Sequence, residues 1–514
     1  MPLVQERSPT ERSSYSRLKR QFASEQGSGV ATLSDNLPGR HSRAQRAHDA
    51  GRKIQKLRIE LAEEHFARIS AALADSYIET DTAVGTALET SDGVDLSGLA
   101  LCRKLSDATD TCIEEIFAAA VGIDPSTGPS DPSSSQETSH SPEREISRQI
   151  ERFRTAAKGS ATLVALVATG GYGRKEVCPY SDIDLTICYL PGVKGIKEIS
   201  AAILYPLWDS GLKVGHSVVT PKEAVAIASS ELDTTVSHLD SRHIIGAPSL
   251  FQELSERIES LVAKRRKRIL QDILEKRKRR INALPVFDGL RWGAGYLGAD
   301  LKLGSGGLRD LCSIEWVAKC LGLDLTEVLS PEDQKILLRA KSDLLLLRSA
   351  LHLCYRRSQD VLDTSAVTRL QARFGEVLAK CIAQRALRAA VATEVLVERN
   401  LCLLVNDAKA QARRLSPTMM LPQVLKASAV SNARVPDEAS GQTAKRQPTN
   451  ADDARSQLLR VLQAPLDEIL EKGRFLQAYG IMQKAIPHWK NIEGLYQSDQ
   501  YHTFTVDVHS WATL

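Results

Sequence analysis

A strand, a glycine pair and an Asp-x-Asp strand follow one another in residues 163–190, and this order constrains the chain more than any other feature. The apolar, β-branched run 163–169 leads directly into Gly170-Gly171. Ten residues then intervene before Asp182 and Asp184, which open a second apolar run. Side chains at i and i+2 of a strand point to the same face, so the two carboxylates can bind one or two hard cations together. Mg²⁺ prefers such oxygen ligands and leaves positions open for substrate phosphates.

The glycine pair predicts a phosphate site beside these carboxylates. Because they lack Cβ atoms, Gly170 and Gly171 let the backbone approach a triphosphate and turn its N–H groups toward it. Alone, a Gly-Gly turn or an Asp-x-Asp strand end is a common structural feature. In this order they predict a nucleotidyl-transfer site, where a metal-bound triphosphate is attacked at the α-phosphate and pyrophosphate leaves.

Two side chains between the glycines and the aspartates each have two open interpretations. Ser181 either contacts phosphate or caps the start of the strand. Arg174 either pairs with phosphate oxygens or is an exposed loop arginine.

Five blocks of the sequence occur together, in this order, in one bacterial enzyme family. They are GGYGRKE (170–176), PYSDIDL (179–185), YPLWDSGLKVGHS (205–217), DLKLGSGGLRDL (300–311) and YHTFTVDVH (501–509). The chain thereby resembles the bifunctional protein-PII uridylyltransferase/uridylyl-removing enzyme family, over roughly residues 146–509. This family belongs to the polymerase-β-like nucleotidyltransferase superfamily.

The resemblance implies a fold and an activity. The fold would be α+β, with a polymerase-β-like nucleotidyltransferase domain (mixed sheet plus helices) and helical flanking domains. The activity would be transfer of UMP from UTP to a tyrosine of the PII nitrogen-signalling protein, with Mg²⁺ as cofactor. The resemblance also implies that Lys302 and Arg309 help to close over the nucleotide. Without it, the glycine-rich stretch between them is simply a turn between helices.

The sequence departs from the superfamily pattern at two points. A third carboxylate is common there, but the strand predicted at 212–220 offers none. Asp233 is a candidate only because it is near in sequence, and we expect it in a helix. Val219 stands where the family has an arginine.

Composition excludes several classes of protein. The net charge is +4, with 25% charged and 42% hydrophobic residues, so bulk charge does not indicate a nucleic-acid binder. The basic stretch 264–280 is interspersed with apolar residues, which favours an amphipathic helix with a solvated basic face. Nine cysteines without a C-x-x-C pair favour reduced thiols. No secretory signal or membrane span is evident, and we expect a cytoplasmic protein without membrane or nucleic-acid partners.

We predict seven segments along the 514 residues. They are a disordered N-terminus (1–50), a helical region (51–123), a Ser/Pro linker (124–145), the nucleotidyltransferase domain (146–248), a helical domain (249–427), a second disordered linker (428–455) and the start of an HD hydrolase domain (456–514). His502 and His509 lie in the last segment, and no His-Asp doublet follows them. We therefore expect a truncated relative without the uridylyl-removing and glutamine-sensing parts.

Two alternatives stay open. The chain could be a catalytically silent remnant that binds PII or nucleotide. It could also be an adenylyltransferase that acts on another protein.

Overall fold

The computed structural model describes most of the chain. The described residues are 38–75, 95–121, 163–406 apart from 194, 285, 288–289 and 292–293, then 451–497 and 504–513. The chain divides into residues 1–45 and a compact unit of residues 46–514, and all contacts reported below lie within the second. The predicted Ser/Pro linker, residues 1–37, residues 428–450 and His502 lie outside the described residues.

The fold is mixed α and β and mostly helical, with one small mixed sheet. The helices are α1 Pro38–Asp75, α2 Gly98–Val121, α3 Gly170–Gly173, α4 Ile196–Asp209, α5 Pro221–Ser230, α6 Leu232–Leu239, α7 Pro248–Asn282, α8 Leu308–Leu321, α9 Leu325–Val328, α10 Pro331–Tyr355, α11 Thr364–Phe374, α12 Glu376–Asn406, α13 Ala451–Leu462, α14 Leu466–Ala478, α15 Ile481–Ala485, α16 Trp489–Ile492 and α17 Val506–Ala512. The strands are β1 Val164–Ala168, β2 Ile183–Tyr189, β3 Val214–Val219, β4 Arg242–Gly246, β5 Val286–Phe287, β6 Leu290–Arg291, β7 Ala299–Asp300 and β8 Val361–Leu362. No helix of the described ranges is long and apolar enough to cross a membrane.

Strands β1 to β4 form the sheet that carries the predicted site. Their order is β3-β2-β1-β4, with β1 antiparallel to β2 and β4, and β2 parallel to β3. All five residues of β1 are buried, as the apolar run in the sequence predicts. The backbone N–H of Thr169 donates to the carbonyl of Asp184 at 3.0 Å, so the glycine pair begins where the β1–β2 pairing ends. The turn and the Asp-x-Asp segment therefore share one edge of the sheet.

One contiguous core joins the sheet to the long helices. It contains apolar side chains of α1, α2, the four strands, α7, α8, α10 and α12. A second, smaller cluster lies among the C-terminal helices and includes Ala454, Val461 and Trp511. The apolar stretches 344–354 and 387–404 lie within α10 and α12, where the sequence predicts core helices.

Two described helices begin inside segments that the sequence predicts to be disordered. Helix α1 begins at Pro38, so residues 38–50 are helical, and α13 begins at Ala451 within the predicted second linker. At the start of α1 and of α13, the buried side chains are small. Ala47, Ala50 and Ala454 are buried at helix contacts where larger apolar residues would be the usual signal.

A buried ion cluster fixes the loop that follows the glycine pair. Arg174 donates through Nε to Glu176 at 2.7 Å and through Nη1 to Asp240 at 2.5 Å. Glu176 also pairs with Lys341 of α10 at 2.8 Å, and Asp240 accepts from the indole N–H of Trp316 of α8 at 2.7 Å. The cluster therefore ties the loop to two helices that lie more than 130 residues further along the chain.

Glu176 is held ionised by this cluster. Burial alone would raise its pKa, but Arg174 and Lys341 lower the pKa of Glu176 to about 2. A carboxyl with a depressed pKa stabilises the folded state above its ordinary pKa of 4.5, and this stabilisation disappears as the pH falls toward 2.

We predict that Glu176→Gln lowers the free energy of unfolding by about 3 kcal/mol at pH 7, because two buried cations each lose a charged partner. The difference from the unsubstituted chain should shrink as the pH falls from 4.5 toward 2. Urea unfolding followed by circular dichroism at several pH values measures both. Glu253→Gln, which breaks an exposed pair with Arg257, is the control and should cost at most about 1 kcal/mol. Equal stability of the Glu176→Gln and Glu253→Gln variants at pH 7 would contradict this account.

Candidate active site

The glycine turn and the Asp-x-Asp strand meet at the edge of the sheet. Gly170 has a φ of +57°, a left-handed conformation that favours glycine, and it starts the single helical turn α3. A Cβ atom at Gly170 would lie 3.5 Å from Oδ2 of Asp184 and 3.5 Å from Oγ of Ser237. The structure thus places the predicted phosphate turn in contact distance of one predicted metal ligand, with α6 on the other side.

A second glycine, on β3, makes room for the carboxylate of Asp184. Gly215 pairs with Asp184 across the parallel strands, and a Cβ at Gly215 would lie only 2.4 Å from Oδ1 of Asp184. Sequence reasoning missed this role. The available signal was a glycine inside a predicted strand, which often marks a close approach of a ligand or of another chain segment.

The two aspartates form an electrostatically unfavourable pair. Asp182 is exposed and directly precedes β2, while Asp184 lies on β2 and is half-buried. Burial and the charge of Asp182 raise the pKa of Asp184, and Lys302 and Arg174 act in the opposite direction. Among the described residues, no donor hydrogen-bonds to either carboxylate. A divalent cation would offset this repulsion and use the open oxygen atoms.

The carboxylate pair fits Mg²⁺ but does not form a closed metal cage. Within the described part of the chain, no group of three or more His, Cys, Asp or Glu side chains could hold a metal ion. Asp233 lies in α6, as expected, and pairs with Lys276 of α7. Two carboxylates with open positions suit Mg²⁺, which commonly keeps waters and substrate phosphates as its other ligands.

The side chain of Asp300 stabilises the turn that contains Lys302. The carboxylate of Asp300 accepts from the backbone N–H groups of Lys302 at 2.8 Å and Leu303 at 2.7 Å. The side chain of Lys302 is exposed, and its charge acts on Asp184 as described above. Gly170 therefore lies beside Asp184, and the positive charge of Lys302 acts on the same carboxylate.

The backbones of Arg309 and Lys302 are hydrogen-bonded, but the side chain of Arg309 packs against an aromatic ring. Its N–H donates to the carbonyl of Lys302 at 2.9 Å. Its guanidinium carbon lies 5.2 Å from the centre of the Trp316 ring. Arg309 thus lies on α8 at the side of the site, over an aromatic ring.

Arg174 and Ser181 are occupied by protein groups. Arg174 belongs to the buried ion cluster, and its Nη2 lies 3.8 Å from the Cβ position at Gly171. The Ser181 hydroxyl accepts from the N–H of Cys178 at 3.0 Å and from Arg348 at 3.2 Å. These contacts favour the cap interpretation of Ser181 and a supporting role for Arg174 behind the glycine turn.

Residues far away in sequence hold the loop that presents Asp182. Arg58, fully buried in α1, donates to the carbonyl of Ser181 at 3.0 Å, and Gln55 donates to the carbonyl of Pro179 at 2.9 Å. Nδ1 of His352 accepts from the N–H of Tyr180 at 3.1 Å. Sequence reasoning missed these side chains, because a lone arginine, glutamine or histidine in a helix carries no local signal of a contact made over more than 100 residues.

Comparison with known proteins gives a consistent family. The sequence model of the family described as GlnD PII-uridylyltransferase matches residues 289–397. A bifunctional uridylyltransferase/uridylyl-removing enzyme of Burkholderia lata is 27% identical over 405 residues, which are 68% of this chain and 45% of that protein. The enzyme of the same name from Azospirillum brasilense is 33% identical over 233 residues, 43% of this chain and 24% of the relative.

The relative from Novosphingobium aromaticivorans, of the same name, is 31% identical over 217 residues, 40% of this chain and 23% of the relative. The chain spans at most about half the length of these curated relatives. The matches to this one family nevertheless cover about two thirds of the chain. The comparisons therefore bear out the resemblance, and the chain is similar to the bifunctional uridylyltransferase/uridylyl-removing enzymes over about two thirds of its length.

Proposed function

We propose that this chain transfers UMP from UTP to a tyrosine hydroxyl of a PII signalling protein and releases pyrophosphate, on a polymerase-β-like nucleotidyltransferase fold. The observation that carries the proposal is the approach of the left-handed glycine turn to Asp184, the second of two open carboxylates. The positive charge of Lys302 acts on the same carboxylate. The names of the relatives support uridylyl transfer, and the family description supports PII as the acceptor.

Each group of the site has a task in this reaction. Asp182 and Asp184 would hold Mg²⁺, which supplies charge stabilisation to the triphosphate when bound. Gly170 and Gly171 allow the phosphates to approach the backbone, and Lys302 adds a positive charge near Asp184. The acceptor oxygen forms a bond to the α-phosphorus, the bond to the bridging oxygen breaks, and the hydroxyl proton passes to solvent. Most of the catalysis is then positioning and electrostatics.

One observation favours a second candidate function. Because the described residues offer two carboxylates and no third ligand, the chain could bind nucleotide without turning it over. This silent form would show Mg²⁺-dependent UTP binding and no pyrophosphate release. The adenylyltransferase alternative predicts instead that ATP outcompetes UTP.

The double substitution Asp182→Asn/Asp184→Asn tests the proposed function. Pyrophosphate release from UTP, Mg²⁺ and PII should fall about a thousandfold, since metal-based charge stabilisation is worth several kcal/mol. Asp209→Asn, which removes an exposed carboxylate of α4, serves as the control and should leave release unchanged. Undiminished release by the double variant would refute the assignment. Absence of release from the folded, unsubstituted chain would favour the silent form.

Gly215→Ala tests whether the space beside Asp184 matters. A methyl group at this position collides with Oδ1 of Asp184, the movable end of a side chain, so the carboxylate must turn while the fold persists. We expect pyrophosphate release to fall about a hundredfold, as for other misplacements of roughly 1 Å. The melting temperature should change little.

The control for Gly215→Ala is Ser217→Ala, two residues along the same strand. It removes a 2.9 Å hydrogen bond to Thr186 and leaves Asp184 untouched. Comparable activity of the Gly215→Ala and Ser217→Ala variants would show that the position of Asp184 does not limit the reaction.

A further inference from the structure

A cleft of about 690 Å³ lies between α6, α7 and α8. Two residues that line the cleft are next in sequence to residues near the predicted phosphate site. On α6, Val236 lines the cleft, and the next residue, Ser237, approaches the Cβ position of Gly170 at 3.5 Å. On the turn before α8, Leu303 lines the cleft and follows Lys302, whose charge acts on Asp184.

The far side of the cleft presents a cation over an aromatic ring. Arg309 and Trp316 both line it, with the guanidinium carbon 5.2 Å from the ring centre. Trp316 is fixed from behind by its N–H bond to Asp240 at 2.7 Å. An arginine held over a fixed aromatic ring is a suitable stacking platform, because nucleic-acid bases stack on guanidinium planes as well as on aromatic rings.

The charge of the cleft favours an anionic ligand. Arg277 and Arg280 line it and both pair with the single buried carboxylate of Asp310. One positive charge of this group is therefore not balanced by Asp310. The lining also holds three more cations (Lys276, Arg279 and Arg309) and three carboxylates (Asp233, Asp272 and Glu275), so one positive charge stays in excess. Apolar walls, basic side chains and a volume in the range of small-molecule pockets suit a nucleotide better than the surface of a protein.

We propose, resting on the proposed function, that this cleft holds the nucleoside half of UTP, with the base stacked on the Arg309–Trp316 pair. The triphosphate then lies toward Gly170, Lys302 and the two aspartates. The family resemblance implies a general role of Arg309 in nucleotide binding, and this proposal places it at the base end of the nucleotide.

Calorimetric titration with two ligands, UTP and inorganic tripolyphosphate, each with Mg²⁺, tests the inference on the full chain. Tripolyphosphate occupies only the phosphate end. Arg309→Gln should therefore weaken UTP binding about tenfold, the magnitude of one stacking contact, and leave tripolyphosphate binding unchanged. Lys267→Gln, an exposed cation of α7 outside the cleft, is the control and should change neither affinity.

Tryptophan fluorescence gives an independent measurement. UTP should change the emission of the unsubstituted chain more than tripolyphosphate does, and this difference should disappear in Trp316→Phe.

Three outcomes would overturn the inference. Equal loss of affinity for both ligands in Arg309→Gln would make Arg309 a phosphate ligand, and unchanged affinity for both would remove it from the site. An increase in KM for PII alone would assign the cleft to the acceptor protein. Selective loss of UTP affinity without pyrophosphate release from the unsubstituted chain would leave this inference standing and refute the proposed transferase activity.

Discussion

The ion pair between Arg174 and Asp240 determines how the glycine turn sits against the helices. Asp240 is buried and accepts hydrogen bonds from Arg174 of the turn, from Trp316 and from Lys319. The backbone of the glycine turn also packs directly on the backbone of Asp240, since a Cβ at Gly173 would lie 1.9 Å from the carbonyl oxygen of Asp240. Any larger residue at Gly173 would separate the turn from this loop. The approach of Gly170 to Asp184 and of α8 to the site both depend on this contact.

Helices from both sides of the nucleotidyltransferase segment complete the site. From the N-terminal side, Asp110 of α2 accepts two bonds from Arg242 and one from the hydroxyl of Tyr172, which stands inside the glycine turn. From the C-terminal side, Arg348 of α10 joins Ser181 to Asp360. Buried charges are costly unless they are paired, and these pairs lock the turn and the Asp182 loop in one arrangement. The site therefore depends on α2 and α10 as well as on the sheet.

Local sequence patterns predicted the elements well, but they could not predict the partners of the charged residues. The two apolar runs predict β1 and β2 within one residue at each end. The contact between Arg174 and Asp240 joins residues 66 positions apart, so no periodicity reveals it. The start of α1 was missed because alanines carry its packing. The spacing of Asp182 and Asp184 predicts that the two carboxylates act as a pair, and the proposed function rests on that prediction.

Transfer of label from α-³²P-UTP to PII, with Mg²⁺ and this chain, tests the central claim most directly. The account predicts a stable label on a tyrosine of PII that depends on Mg²⁺ and that excess unlabelled UTP, but not ATP, prevents. A folded chain that binds UTP and leaves PII unlabelled would contradict it. Label from α-³²P-ATP in preference to UTP would keep the site but replace the proposed reaction by adenylyl transfer.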